Sequence, residues 1–296
     1  MQWKRDFGLT MRQIMTWALL LLVYLIFLTI LGSLFGIGPW SLVAIAAVMA
    51  FAQYFFSDRL VLMSTGAQEV TEEEYPELHR IVEKLAAEAG IPKPRVAIMP
   101  SPVPNAFATG RSPSHAVVAA TDSIMRLLTR DELEAVLAHE ISHVKNRDVM
   151  TLTIASFLAM VAAIIMQNAW LFSLGDRREG SGGAWMAAWA VSIIVWVVAT
   201  LLIRSLSRYR EFAADAGSAY ITGKPRALIS ALNKISGRMD IIPPEKKQEV
   251  SGANAFFIIP ALSGNSIMEL FSTHPTLEKR VAALEALDEE IRYMPR

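Results

Sequence analysis

Long apolar runs without charge constrain this chain more than any other feature. Residues 14–34 are uncharged and mostly apolar, and residues 39–56 form a second such run after a break at 36–39. A helix that crosses a bilayer needs about 20 apolar residues, with a range near 17–25. Both runs meet that length and predict a transmembrane hairpin. A cleaved signal peptide is the competing interpretation of the first run, but a second span follows at once without a clear small-residue cleavage site.

A second pair of apolar runs lies at residues 150–174 and 184–203, joined by a short, polar, glycine-rich linker. This pair predicts a second transmembrane hairpin, with a buried core hairpin as the alternative. Composition favours the membrane, because 53% of the 296 residues are hydrophobic and only 19% are charged, against about 25% charged in typical soluble domains. The 28 basic and 28 acidic residues balance, which argues against a nucleic-acid partner.

Basic residues predict how these hairpins are oriented. Uncompensated positive charges cluster on one side of the apolar runs, whereas the 36–39 turn carries no charge and the 175–183 linker carries two of each sign. The basic residues on that side are Lys4, Arg5, Arg12, Lys145, Arg147, Arg204, Arg208 and Arg210. Lysine and arginine accumulate in cytoplasmic segments of membrane proteins. We therefore expect four parts: a hairpin at 1–56, cytoplasmic parts at 57–149 and 204–296, and a second hairpin at 150–203.

The two cytoplasmic parts predict a mixed α+β fold. Thr71 with Glu74 resembles a capping box that opens a helix, which Gly90 ends. Three short apolar stretches predict strands at 95–99, 105–109 and 115–121. Thr129 with Glu132 is another capping box, and Pro275 suits the first position of a closing helix that runs to about residue 291. The predicted fold class is thus a helical transmembrane protein with a short β-sheet in its cytoplasmic domain.

The second capping box opens a helix that carries the pattern His139-Glu-Ile-Ser-His143. Two histidines four residues apart share one face of a helix. HExxH on a helix is a zinc motif, with two ligands and a glutamate, Glu140, as general base. The chain has no cysteine and only five histidines, so any further ligand comes from His, Asp or Glu. The competing interpretation is a solvated helix face with two chance histidines.

A third ligand is needed, because a catalytic zinc usually has three protein ligands and one open position. Glu211 and Asp215 also share a helix face, although alone they would indicate an ordinary charged surface. Their distance from the membrane changes this. His143 lies seven residues before the third run and Glu211 eight residues after the fourth. If the helix of His143 continues into the third run and the fourth run continues as a helix through Glu211, both residues lie roughly 10–12 Å above one membrane face, at about 1.5 Å per helical residue. We therefore expect that His139, His143 and Glu211 can meet around one ion.

Four motifs together resemble the HtpX-type membrane endopeptidases, gluzincins related to the CAAX prenyl proteases. They are the histidine motif at 139–143, Glu-Phe-Ala-Ala-Asp at 211–215, Pro-Asn-Ala-Phe-Ala at 104–108 and His-Pro-Thr-Leu-Glu-Lys-Arg at 274–280. The resemblance extends from near the N terminus to about Arg280. Four apolar runs favour the HtpX branch over the prenyl-protease branch. The resemblance implies a prokaryotic plasma-membrane protein that cleaves cytoplasmic segments of misfolded membrane proteins.

The resemblance also implies roles for individual residues. Glu211 would be the third ligand of a single Zn²⁺ ion, and Asp215 would support a ligand histidine. Asn105, Ala106 and Phe107 would form an edge strand that pairs with the substrate backbone, which agrees with β-augmentation as a mode of peptide capture. His274 would stabilise the transition state, with Arg280 as its structural partner.

These residues predict metal-assisted peptide hydrolysis at the cytoplasmic surface, with Glu140 as the base that takes the proton of the attacking water. An intramembrane protease is less consistent with the sequence, because charged residues flank the motif on both sides. A non-catalytic zinc-binding scaffold or transporter is a rival from another class, although transport predicts polar residues inside the spans. The first two apolar runs contain almost none. A prenyl-protein-type protease is the remaining alternative.

Overall fold

A computed structural model of the protein describes residues 7–148, 162, 165, 181–243 and 275–293. The described residues divide into two compact units. Residues 7–55, 162, 165 and 181–206 form a helical unit, and residues 56–148, 207–243 and 275–293 form an α/β unit. The four-part division expected from the sequence stays a prediction.

Long apolar helices build the helical unit. Helix α1 spans Phe7–Phe35 and α2 spans Pro39–Thr65, with a turn at Gly36 between them. Among the described residues, Ile14–Phe35 and Gly183–Thr222 are long and apolar enough to cross a bilayer. Many apolar side chains on α1 and α2 face outward, such as Leu21 and Trp40, as lipid-facing side chains do. The second predicted run is helical, and most of the third lies outside the described residues.

The α/β unit is built on a four-stranded mixed sheet. Its strands are β1 (Gln68–Glu69), β2 (Arg95–Met99), β3 (Ala106–Thr109) and β4 (Val117–Thr121), in the spatial order β1-β2-β4-β3. Strand β2 pairs in parallel with β4, and the outer pairs are antiparallel. The three predicted strands are present, but two are shorter than expected. Asn105 precedes β3, and His115 ends a 3-10 turn at Pro113–His115 before β4.

The first capping-box prediction was wrong about where its helix begins. The amide of Thr71 does donate to Oε2 of Glu74 at 2.8 Å, yet helix α3 spans Pro76–Ala89. Proline disfavours the helical conformation of the residue before it, and Tyr75 has φ −134° and ψ 63°. Pro76 therefore starts the helix itself. Gly90 ends α3 at φ 70°, as predicted.

The capping box of Thr129 and Glu132 is confirmed and begins helix α5 (Arg130–Lys145), which follows a short helix α4 at Asp122–Leu127. Burial would by itself raise the pKa of Glu132, but hydrogen bonds from Lys234, Ser230 and Thr129 lower it to about 2. Glu132 therefore stays ionised at neutral pH. These contacts join the start of α5 to the helix that carries Ser230 and Lys234, and most side chains of α5 are buried.

Three further helices complete the described structure. Helix α6 spans Ser181–Thr222 without interruption, so that one helix carries both the fourth apolar run and the Glu211 motif. Helix α7 spans Pro225–Ile241, and α8 spans Leu277–Tyr293. Pro275 was expected at the first helical position. The carbonyl of Thr276 instead accepts the first helical hydrogen bond, from the amide of Arg280 at 3.1 Å, so Thr276 caps α8.

Candidate active site

The two histidines of the HExxH motif point their Nε2 atoms at the same space. Helix α5 places them one turn apart, and their rings are nearly perpendicular, at 89°. The Nε2 atoms of His139 and His143 are 3.1 Å apart. His139 is 1% exposed, whereas the side chain of His143 is 14% exposed. The site is therefore buried but opens on the His143 side.

Glu211 of α6 completes a triangle with these nitrogens. Its Oε2 atom lies 3.5 Å from Nε2 of His139, and its Oε1 atom lies 3.4 Å from Nε2 of His143. Tetrahedral ligands about 2.0–2.1 Å from a zinc ion are separated by roughly 3.3–3.4 Å. The separations of 3.1 Å between the two nitrogens and of 3.4 and 3.5 Å from each nitrogen to one of the two Glu211 oxygens are close to that value. Among the described residues, these three form a group whose ligand atoms are close enough together to hold one metal ion.

The charge of the buried site fits a divalent cation as well. Within the described residues, four buried carboxylates, one of them the Glu211 corner itself, and two buried guanidinium groups lie at or next to the triangle. When all are ionised they carry a net charge of minus two, which is costly in a low-dielectric interior. One divalent cation would neutralise it. The groups are Glu140, Asp148, Glu211, Asp215, Arg210 and Arg280.

On the Nδ1 side of His139, opposite the nitrogen that faces the triangle, lie the carboxylate of Asp215 and the guanidinium group of Arg280. Nδ1 of His139 lies 2.9 Å from Oδ1 of Asp215, one turn after Glu211 on α6. Arg280 of α8 donates to both Asp215 oxygens, at 2.8 and 2.7 Å. Burial alone would lower the pKa of Arg280, but the carboxylates of Asp215, Glu211 and Glu140 raise it above its ordinary value. The cation therefore stays charged in the interior.

Behind His143, the structure places a residue pair that we did not predict from the sequence as part of the site. Nδ1 of His143 forms a 2.7 Å hydrogen bond with Oδ2 of Asp148. The other Asp148 oxygen lies 2.7 Å from Nε of Arg210. Asp148 comes five residues after His143, which on a continuous helix would rotate it about 140° away. Periodicity alone therefore gave no signal for Asp148, and the end of α5 at Lys145 that makes the contact possible was not predicted.

Glu140 follows His139 directly on α5 and is 5% exposed. Its carboxylate is close enough to Arg280 to attract the guanidinium charge. Glu140 is therefore held beside the triangle without being one of its three corners. The remaining predicted catalytic residue, His274, lies outside the described residues.

Strand β3 forms the edge of the sheet next to the histidines. It pairs with β4 on one side, and within the described part of the chain no strand pairs with its other side. A cavity at the end of β3 is lined by Thr109, Gly110 and His143, among others. The strand edge thus leads to the metal triangle.

The register of β3 determines which of its backbone groups face outward. The amide of Thr121 donates to the carbonyl of Asn105 at 2.8 Å, so Asn105 directs its hydrogen-bonding groups toward β4. Such groups alternate along an antiparallel strand. Phe107 therefore also faces β4, and Ala106 and Ala108 direct their amide and carbonyl groups away from β4. All four residues of β3 are buried, with Ala106 0% and Ala108 7% exposed.

The two other described histidines form unrelated contacts. Nε2 of His79 lies 3.0 Å from the carbonyl of Val70, and Nδ1 of His115 lies 2.8 Å from the hydroxyl of Ser112. Both are local interactions, and neither histidine is a corner of the triangle.

Comparison with known proteins identifies the family. Residues 72–288 match peptidase family M48. The chain is 54% identical to the protein "Protease HtpX homolog 2" of Methanosarcina mazei, over 98% of this chain and 99% of that protein. It is also 54% identical to "Protease HtpX homolog" of Moorella thermoacetica, over 97% and 96%.

A solved structure, that of S. mikatae Ste24p, has a similar fold. The TM-score is 0.56 at 19% identity, and the match covers 94% of this chain and 66% of that one. At this identity the likeness concerns the fold alone, and this chain spans about two thirds of that chain's length. The family match, the full-length relatives and the metal-binding triangle lead to the same conclusion. This chain belongs to peptidase family M48 and is a membrane metalloprotease of the HtpX type.

Proposed function

We propose that the chain is a zinc-dependent endopeptidase that hydrolyses peptide bonds in cytoplasmic segments of membrane proteins, misfolded ones in particular. The observation that carries the proposal is the triangle of His139, His143 and Glu211 with Glu140 beside it. Two imidazoles and one carboxylate form the ligand set of many catalytic zinc sites. The 3.1–3.5 Å edges and the net negative charge of the surrounding groups support zinc at this position.

In this proposal each protein group has one task. When bound, the zinc ion supplies a Lewis acid that polarises the scissile carbonyl and makes a water molecule more acidic. The Glu140 carboxylate accepts the proton of the attacking water and delivers it to the leaving amide nitrogen. Asp215 and Arg280 orient His139 from behind, and His274 donates a hydrogen bond to the developing oxyanion.

In this proposal the side of β3 that faces away from β4 receives the substrate as an additional strand, and what covers this buried edge moves aside. Asn105, Ala106 and Phe107 are the substrate-binding residues predicted from the sequence. The register supports a more specific assignment, in which backbone groups of Ala106 and Ala108 pair with the extended peptide. Asn105 and Phe107 keep the strand in register against β4. This edge ends at the cavity beside His143. A peptide bound along it would therefore place its scissile bond near the metal position.

The proposed location is the plasma membrane of a prokaryote, with four spans and the catalytic part in the cytoplasm. Apolar helices of sufficient length support membrane insertion. The basic residues that flank the apolar runs support the orientation. The proposed parts are the hairpins at 1–56 and 150–203 and the catalytic parts at 57–149 and 204–296.

The direct test uses Glu140→Gln in the detergent-purified full chain. We expect this variant to bind about one zinc ion per chain, because Glu140 is not a corner of the triangle. We expect cleavage of a membrane protein with a labelled cytoplasmic loop to fall by about 10²–10⁴-fold, the usual contribution of a general base. Zinc content and the cleavage rate are measured on the same sample.

Glu134→Gln is the matched control, since Glu134 is a buried glutamate of the same helix that pairs with Lys84 instead. It should cleave at close to the wild-type rate. Chelation of the metal should abolish cleavage by the wild type, and added zinc should restore it. Cleavage that survives both chelation and Glu140→Gln would refute the proposed mechanism.

A further inference from the structure

The two metal-facing histidines are each backed by a buried acid that is itself paired with a buried arginine. His139 has Asp215 and Arg280, and His143 has Asp148 and Arg210. The first set belongs to motifs that the sequence makes visible. In the second set, Asp148 and Arg210 lie outside the four sequence motifs. Their arrangement around His143 points to a functional role.

The backbone after α5 is shaped to return Asp148 to the helix it has just left. Asn146 ends the helix, and Arg147 has φ 57°, which makes it the one non-glycine residue in the left-handed region within the described parts of the chain. This conformation costs roughly 1–2 kcal/mol for a residue with a side chain. The reversal brings the Asp148 carboxylate to 2.7 Å from Nδ1 of His143.

Asp148 is held in turn by the helix that provides the third ligand. Arg210 immediately precedes Glu211 on α6, and its Nε lies 2.7 Å from Oδ1 of Asp148. Both side chains are almost fully buried. The chain of contacts from His143 through Asp148 to Arg210 therefore joins the end of α5 to α6 beside the metal triangle.

We infer that Asp148, oriented by Arg210, is a positioning residue that holds His143 in the tautomer and ring orientation required to bind the metal. A carboxylate can only accept from Nδ1–H, which leaves the lone pair of Nε2 directed at Glu211 and His139. Acidic partners of this kind raise the basicity of a ligand histidine, and their removal typically weakens metal binding by about 10–100-fold.

The inference rests on the proposed zinc site and is tested on metal binding rather than on cleavage. The experiment titrates zinc into the metal-free full chain in detergent against a chromogenic chelator. We expect Asp148→Asn to weaken zinc binding by about 10–100-fold relative to wild type. Asp131→Asn is the control, because Asp131 forms an exposed ion pair with Lys224 and its loss should leave zinc affinity within about twofold.

A second variant separates positioning from folding. Asp148→Asn alone leaves Arg210 buried without its carboxylate, which destabilises a fold. The double variant Asp148→Asn/Arg210→Met removes both charges. It should be folded, as judged by its thermal unfolding midpoint, and should bind zinc as weakly as the single variant. The absorption spectrum of the Co²⁺-loaded double variant should also differ from that of wild type, because His143 is no longer fixed.

The possible outcomes are distinct. If wild type does not bind zinc, the proposed function fails. If wild type binds zinc and a folded variant binds it equally well, the positioning role of Asp148 is refuted while the proposed function stands. Failure of the double variant to fold would also refute the inference, since the pair would then serve the fold and not the metal.

Discussion

At the scale of single residues, the site is defined by charge in a buried space. Four carboxylates and two arginines lie together with almost no exposure. Each acid is tolerable there because it faces an arginine, a ligand histidine or the metal position. The arginines are therefore as much a part of the site as the ligands. Removal of one of these arginines should lower the free energy of unfolding.

Arg280→Leu provides a test of that view. It leaves Asp215 and Glu211 without their shared cation, and removal of one partner of a buried pair costs about 3–5 kcal/mol. Urea unfolding of the metal-free chain in detergent should show a loss of that size. Arg226→Leu is the matched control, because the side chain of Arg226 is 70% exposed in its pair with Asp288 and such pairs contribute about 0–1 kcal/mol. Equal losses for the two variants would contradict the importance of burial.

At the scale of elements, helix α5 and strand β3 were predicted by patterns that have clear physical causes. A capping box begins α5, and four-residue spacing places both histidines on one face. An apolar stretch among prolines predicted β3. The end of α5 was less predictable. The left-handed Arg147 that returns Asp148 to His143 follows no residue preference, because glycine or asparagine normally occupies such a position.

The register of β3 leads to a prediction about substrate binding. Ala108→Pro removes one amide donor from the side of β3 that faces away from β4. A lost hydrogen bond of about 0.5–1.5 kcal/mol should reduce kcat/KM for an extended peptide by about 2–10-fold. Ala108→Ser keeps the amide and should change kcat/KM little. Steady-state kinetics on both variants provides the measurement.

An unchanged kcat/KM for Ala108→Pro would show that the substrate does not pair with this edge. Thermal unfolding of the same two variants serves as the control for damage to the sheet. Because Ala108 directs its backbone groups away from β4, the proline removes no hydrogen bond of the existing ladder.

At the scale of the whole molecule, the apolar runs and the basic residues beside them predict the membrane topology. The chain has no cysteine, so a single introduced cysteine is the only thiol of this protein that a maleimide can label. In intact cells, a membrane-impermeant maleimide should label Ile37→Cys and Ser181→Cys, which lie in the two proposed outer turns. Arg80 lies on α3 and its side chain is exposed. A cysteine at this position should therefore react only after the cells are permeabilised.

Labelling of Arg80→Cys in intact cells would contradict the cytoplasmic orientation. Absence of labelling at Ser181 in intact cells, with labelling after permeabilisation, would contradict the second hairpin. Retained protease activity of each cysteine variant is the control for correct folding.

The sequence by itself determined the membrane character, the metal-binding helix and the family. These depend on local features: the length of apolar runs, helical spacing and short motifs. It also predicted Glu211 as the third ligand, from a distance argument that assumed one continuous helix from His143 into the third apolar run. That assumption was wrong, because α5 ends at Lys145. The matching assumption for Glu211 is confirmed, because α6 runs without interruption from the fourth apolar run through Glu211.

Only the tertiary structure decided what surrounds the ligands. Asp148 approaches His143 through a backbone reversal, and Arg210 and Arg280 come from helices distant in the chain. Such contacts have no periodicity, since they depend on how separate elements pack and on the charge that their burial must balance. The apolar runs and the HExxH helix could therefore be predicted from the sequence. The carboxylate and arginine partners of the two histidines were decided by how the helices pack.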